Sequence, residues 1–65
     1  MIINGESHSL HPGDSDLTKL LDRLGLGGKP VVIELNGEAV RPDLYPETKV
    51  HEDDRLEIVL ITAGG

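Results

Sequence analysis

The chain has no cysteine, no tryptophan and no phenylalanine, and Tyr45 is its entire aromatic content. Without cysteine there is no disulfide staple, no thiolate zinc site and no thiol nucleophile, so stability must come from aliphatic packing. The shortage of aromatic rings argues against a large aromatic-lined ligand pocket. Basic residues are also scarce, six against twelve acidic ones, for a formal net charge of −6. Such a balance repels phosphate backbones and acidic membrane surfaces and favours a basic protein partner, so nucleic acid and membrane are excluded as expected ligands. No apolar run approaches the roughly 18 residues of a membrane span. The opening Met1-Ile2-Ile3-Asn4 lacks the basic segment and long apolar stretch of a secretory signal. A soluble, cytoplasmic protein is expected, monomeric on its own.

What remains is a 65-residue chain rich in Leu, Ile, Val and glycine. At this size one domain forms, and it buries only about 60% of the surface of the unfolded chain. Asn4-Gly5 and Asn36-Gly37 are hairpin signals, because both central positions of a type I′ turn need positive φ. The first predicts a strand over Met1 to Asn4 followed by another at about Ser7 to Leu10. His11-Pro12-Gly13 breaks the extended chain, and Asp14 or Ser15 is placed to cap a helix. Leu17, Leu20, Leu21 and Leu24 then recur at the i, i+3, i+4, i+7 spacing of one buried face, and Gly25 is the natural stop.

Val31 to Leu35 is a β-branched, strand-like run, and Glu38 to Val40 returns from it through the second hairpin. Arg41 to Pro46, with two prolines, is irregular or a single helical turn. Thr48-Lys49-Val50 is a candidate short edge strand. Glu52-Asp53-Asp54 forms a turn into the last strand, Arg55 to Ile61, which is apolar at most steps.

This order predicts an α+β domain over residues 1–61, a mixed four- to five-stranded sheet packed on one main helix, with residues 62–65 as a flexible tail. A sheet grasping one helix in this way is the β-grasp, or ubiquitin-like, arrangement. Met1, Ile3, Leu17, Leu20, Leu21, Leu24, Ile33, Leu56, Ile58 and Leu60 are expected to meet in its core.

The tail, Thr62-Ala63-Gly64-Gly65, directly follows the longest predicted strand. Glycine lacks Cβ, so Ala63, Gly64 and Gly65 form a peptide narrow enough to thread a slot in another protein. A frayed terminus is the plainer alternative. The outer face of the last strand is the candidate docking surface, with Val59 and Ile61 either exposed there or covered by loops or a neighbouring strand.

The early Asn4-Gly5-Glu6, the segment Val32 to Val40, the segment Asp54 to Val59 and the terminal Gly64-Gly65 occur in one order within so short a chain. Together they resemble the ThiS family, the sulfur carriers of thiamine biosynthesis, over essentially the whole length. Two departures stand out. Glu52-Asp53-Asp54 replaces the family's frequent Asp-Gly-Asp, so Asp53 must take a turn position that glycine usually holds. Ile61 and Ala63 replace the frequent aromatic residue and third glycine of the tail.

The resemblance implies a protein co-substrate, not an enzyme. An E1-like adenylating enzyme of ThiF type, using ATP and Mg²⁺, would activate the Gly65 carboxylate. A persulfide sulfur from a donor protein would displace AMP and leave a thiocarboxylate, which would deliver sulfur to a thiazole synthase of ThiG type. The chain would hold no cofactor of its own. Two alternatives stand beside this reading: the small subunit of molybdopterin synthase or another diglycine sulfur carrier, and a non-catalytic β-grasp interaction module.

Other signals are explained more simply. His8-x-x-His11 has neither helical spacing nor a completing acid or thiol, so it does not argue for metal. Asp14-Ser15-Asp16 lacks the later ligands of a calcium loop. Gly25-x-Gly27-Gly28 follows a helix rather than preceding one, so no helix N-terminus points at a phosphate.

Overall fold

The computed structural model describes residues 1–62. The elements run β1 (Ile2–Ile3), β2 (Glu6–Ser7), α1 (Leu17–Arg23), β3 (Val31–Leu35), β4 (Glu38–Val40), a 3-10 helix (Pro42–Glu47) and β5 (Arg55–Leu60). The five strands form one mixed sheet in the order β2-β1-β5-β3-β4. β1 runs parallel to β5, and the other neighbours are antiparallel. With α1 packed on one face, this is the expected β-grasp arrangement.

Both hairpins turn on their Asn-Gly pairs. Asn4 and Gly5 have φ of 51° and 82°, and Asn36 and Gly37 have 52° and 86°, the signs a type I′ turn demands. Each asparagine has a second task. The Asn4 amide donates to the Ile58 carbonyl (3.0 Å) and its oxygen accepts the Ile58 N–H (2.7 Å), so one side chain continues the β1–β5 ladder where the backbone turns away. Asn36 accepts the Arg55 N–H (2.9 Å) and donates to Asp54 Oδ1 (3.1 Å), tying the other hairpin to the start of β5.

The helix begins at Asp16, whose carboxylate accepts the Lys19 N–H at 2.9 Å. Asp14 and Ser15, the expected caps, lie too early. Asp14 has a different role: its side chain is buried, receives Arg23 Nε and Nη2 at 2.8 Å each, and accepts the His11 N–H at 2.8 Å. That carboxylate clamps the His11–Asp14 turn to the last turn of α1. Gly25, at φ 79°, ends the helix as expected. Its N–H reaches the Asp22 carbonyl (3.1 Å) while the Leu26 N–H reaches that of Leu21 (2.8 Å), so two terminal carbonyls are satisfied.

Leu17, Leu20, Leu21, Ile3, Ile33, Leu56 and Ile58 are buried together, joined by Val31, Tyr45 and Val50. Full burial of each large aliphatic side chain contributes about 1.5–3 kcal/mol. Met1 and Leu24 are only partly buried against this cluster. Leu60 departs further, at 45% exposed. It points to the helix side of the sheet, where it lines an open groove with Ile3, Ile58, Leu24 and Leu26 past the end of α1 instead of a closed core.

Three further expectations change. Strand β2 is two residues, shorter than Ser7 to Leu10 implied. Residues 48–50 form no edge strand: the Thr48 carbonyl accepts the Leu17 N–H at 3.0 Å, and Val50 enters the core. The segment is used to seat the start of α1. Asp53 does not adopt the left-handed conformation, since Asn4 and Asn36 are the non-glycine residues at positive φ among those described. The turn is instead closed by Asp54, whose carboxylate accepts the His51 N–H at 2.7 Å.

Candidate functional site

Side chains alternate along β5. Leu56 and Ile58 face the helix and are buried, while Arg55, Glu57 and Val59 face away. Val59 is 59% exposed and Ile61, just past the strand, is 49% exposed. Both residues expected to form a docking surface are therefore open. For Val59, on the face away from the helix, the alternative of a covering loop or strand does not hold.

Two strands shape the patch. Val32 on β3 is the direct partner of Val59 and is itself 46% exposed. The Ile61 N–H donates to the Pro30 carbonyl at 2.8 Å, extending the β3–β5 pairing past Leu60 and aiming Thr62 out of the end of the sheet. The apolar Val32–Val59 pair thus lies on the outer face close to where the chain leaves the fold, while Ile61 borders a groove lined by Pro30, Val31, Pro42 and Tyr45. The expected threaded residues Ala63, Gly64 and Gly65 lie outside the described residues.

Val32 was not singled out from the sequence, although a signal existed. In Val31-Val32-Ile33 the period-2 rule sets Val32 on the face opposite Val31 and Ile33. The missing knowledge was that β3 pairs with β5 in the register that sets Val32 against Val59.

The polar groups elsewhere serve the fold. The Arg23 guanidinium beside Asp14 holds its carboxyl below the usual range, against the opposing effect of desolvation. Burial pushes the Tyr45 phenol above its ordinary value. His8 stands 3.9 Å from Glu6 and His51 Nδ1 3.5 Å from Asp54, in separate places. Among the described residues no three His, Asp or Glu groups gather where a metal ion would sit, and no helix is long and apolar enough to cross a membrane.

The fold has known counterparts. The crystal structure of the thiamine biosynthesis protein ThiS from Geobacter metallireducens is similar, at a TM-score of 0.81 and 29% identity, covering 98% of this chain and 96% of that one. A solution structure of a thiamine biosynthesis protein from the same organism gives a TM-score of 0.77 and 29% identity, covering 98% and 85%. No curated protein matches significantly. The ThiS family profile matches residues 1–65, the full length, and the chain therefore belongs to the ThiS family.

Proposed function

We propose that this protein is a sulfur carrier of thiamine biosynthesis whose reacting group is the Gly65 carboxylate. The observation that carries the reading is the family match extending through Gly64 and Gly65. A carboxylate is a poor electrophile, so exchange of one of its oxygens for sulfur requires a leaving group. A ThiF-type adenylating enzyme supplies it by joining the carboxylate to AMP from ATP, with Mg²⁺ on the nucleotide and release of pyrophosphate. A persulfide sulfur from a donor protein displaces AMP, and thiol cleavage of the S–S bond leaves the thiocarboxylate. A ThiG-type thiazole synthase then takes the sulfur.

The carrier is acted upon and performs no catalysis of its own. ATP, Mg²⁺ and the sulfur-bearing cysteine belong to its partners, which fits a chain with no cysteine. The setting for these partners is the cytoplasm. Ordering each threaded residue costs about 1–2 kcal/mol. Docking of the folded body through Val59, Ile61 and the adjoining Val32 offsets that cost, and the exposure of all three supports this role.

The test is to incubate the protein with a ThiF-type enzyme, ATP and a sulfide source and to measure its intact mass. A gain equal to exchange of one oxygen for one sulfur, localised to Gly65, is expected. An unchanged mass would leave an inert interaction module. Extending the chain by one residue after Gly65, or substituting Gly64→Trp, should abolish the gain without altering the circular dichroism spectrum.

A further inference from the structure

On the outer face, one step before the Val32–Val59 pair, β3 and β5 set Glu34 directly opposite Glu57. Both are exposed, and neither has a basic group within 4 Å among the described residues. Like charges directly opposite each other on one sheet face destabilise it. Arg55 lies on the same face, two residues before Glu57, yet it forms no ion pair with either carboxylate. On the other flank Glu34 faces the small Ala39, which leaves the pair accessible from above. Moving along the strands, the face reads Glu34–Glu57, then Val32–Val59, and the Ile61 N–H on the Pro30 carbonyl then closes the β3–β5 pairing where the tail departs. The acidic pair therefore stands about 13 Å from the exit of the tail, four residues back along the strand.

Resting on the carrier reading above, we infer that Glu34 and Glu57 form a charge-recognition element for the adenylating partner, which presents an arginine or lysine to both carboxylates while an apolar surface covers Val32 and Val59. A single cation between the two relieves the repulsion that the free carrier bears, so the attraction is realised only in the complex. Because the strand spacing sets the distance between the acidic pair and the tail exit, the same contact registers the tail along its slot. A net charge of −6 adds long-range attraction to a basic partner, and this pair gives it an orientation.

The experiment uses the full-length protein and a purified ThiF-type enzyme, reading carrier-dependent ATP–pyrophosphate exchange against carrier concentration from low to physiological salt. The double variant Glu34→Gln, Glu57→Gln should unfold at the same or higher urea concentration than the parent. Its KM should rise by about three- to tenfold at low salt and depend less steeply on salt than the parent's, with the loss falling on KM rather than kcat. A control, Glu47→Gln with Glu52→Gln, removes the same charge away from this face and should leave KM near the parent value. Equal effects in the two double variants, or no change in either, would overturn the assignment. If the parent drives no exchange at all, the carrier reading itself fails, and this inference falls with it.

Discussion

The two faces of the same sheet carry adjacent β-branched residues with opposite fates. Ile58 and Val59 are neighbours on β5, but Ile58 is buried beneath the helix and Val59 is more than half exposed. On β3 the same contrast separates Ile33 from Val32. Strand geometry forces the alternation, but only the helix gives one face something to pack against. The inner face holds the fold together, and the outer face is free to serve another protein.

Substitutions can break each face separately. The largest effect is expected from Leu20→Ala, which empties a fully buried site and should cost about 2–5 kcal/mol in urea unfolding. A domain this small has little stability beyond that, so the variant should be substantially unfolded at ambient temperature. Next is Asn4→Ala. It removes both bonds to Ile58 and places alanine at φ 51°, for a loss of about 1–3 kcal/mol. Normal stability in that variant would show that the asparagine is not the link between β1 and β5.

Asp14→Asn should cost about 1–3 kcal/mol at neutral pH by weakening the clamp on Arg23 and the His11 turn. The folded state lowers the Asp14 pKa below 3.8, so its stabilising effect is complete above that value and fades as pH falls through the lower folded one. The stability gap between parent and variant should accordingly narrow in strong acid. A gap that stayed constant would mean the loss came from packing instead of charge. The smallest effect on stability is expected at Val59→Ser, within about 0.5 kcal/mol, since its surroundings are solvent. The same variant should weaken carrier-dependent exchange by the adenylating enzyme, and that separation of fold from function is what the two faces predict.

Much of the fold was legible because its signals are local. The two Asn-Gly turns, the leucine stripe of α1 with its glycine stop, and β3 each depend on residues within a few positions of one another. Parity along β5 set Val59 opposite to Leu56 and Ile58, but whether Val59 and Ile61 are exposed or covered was left open. Less legible were contacts whose partners lie far apart in sequence. Asp14 looked like a cap because Arg23, nine residues on, meets it only after the helix has formed. Val50 looked like an edge-strand residue because nothing nearby shows that its segment is drawn across to the start of α1.

The sequence by itself determined where the chain turns, where it coils and which residues of each strand share a face, since these follow from backbone sterics and side-chain periodicity. Only the tertiary structure decided which face is covered, that Leu60 borders an open groove instead of the closed core, and that Val32 and Glu34 stand against Val59 and Glu57. The reason is physical: register between distant strands, and which face a helix comes to cover, are properties of the assembled sheet, and no single segment carries them.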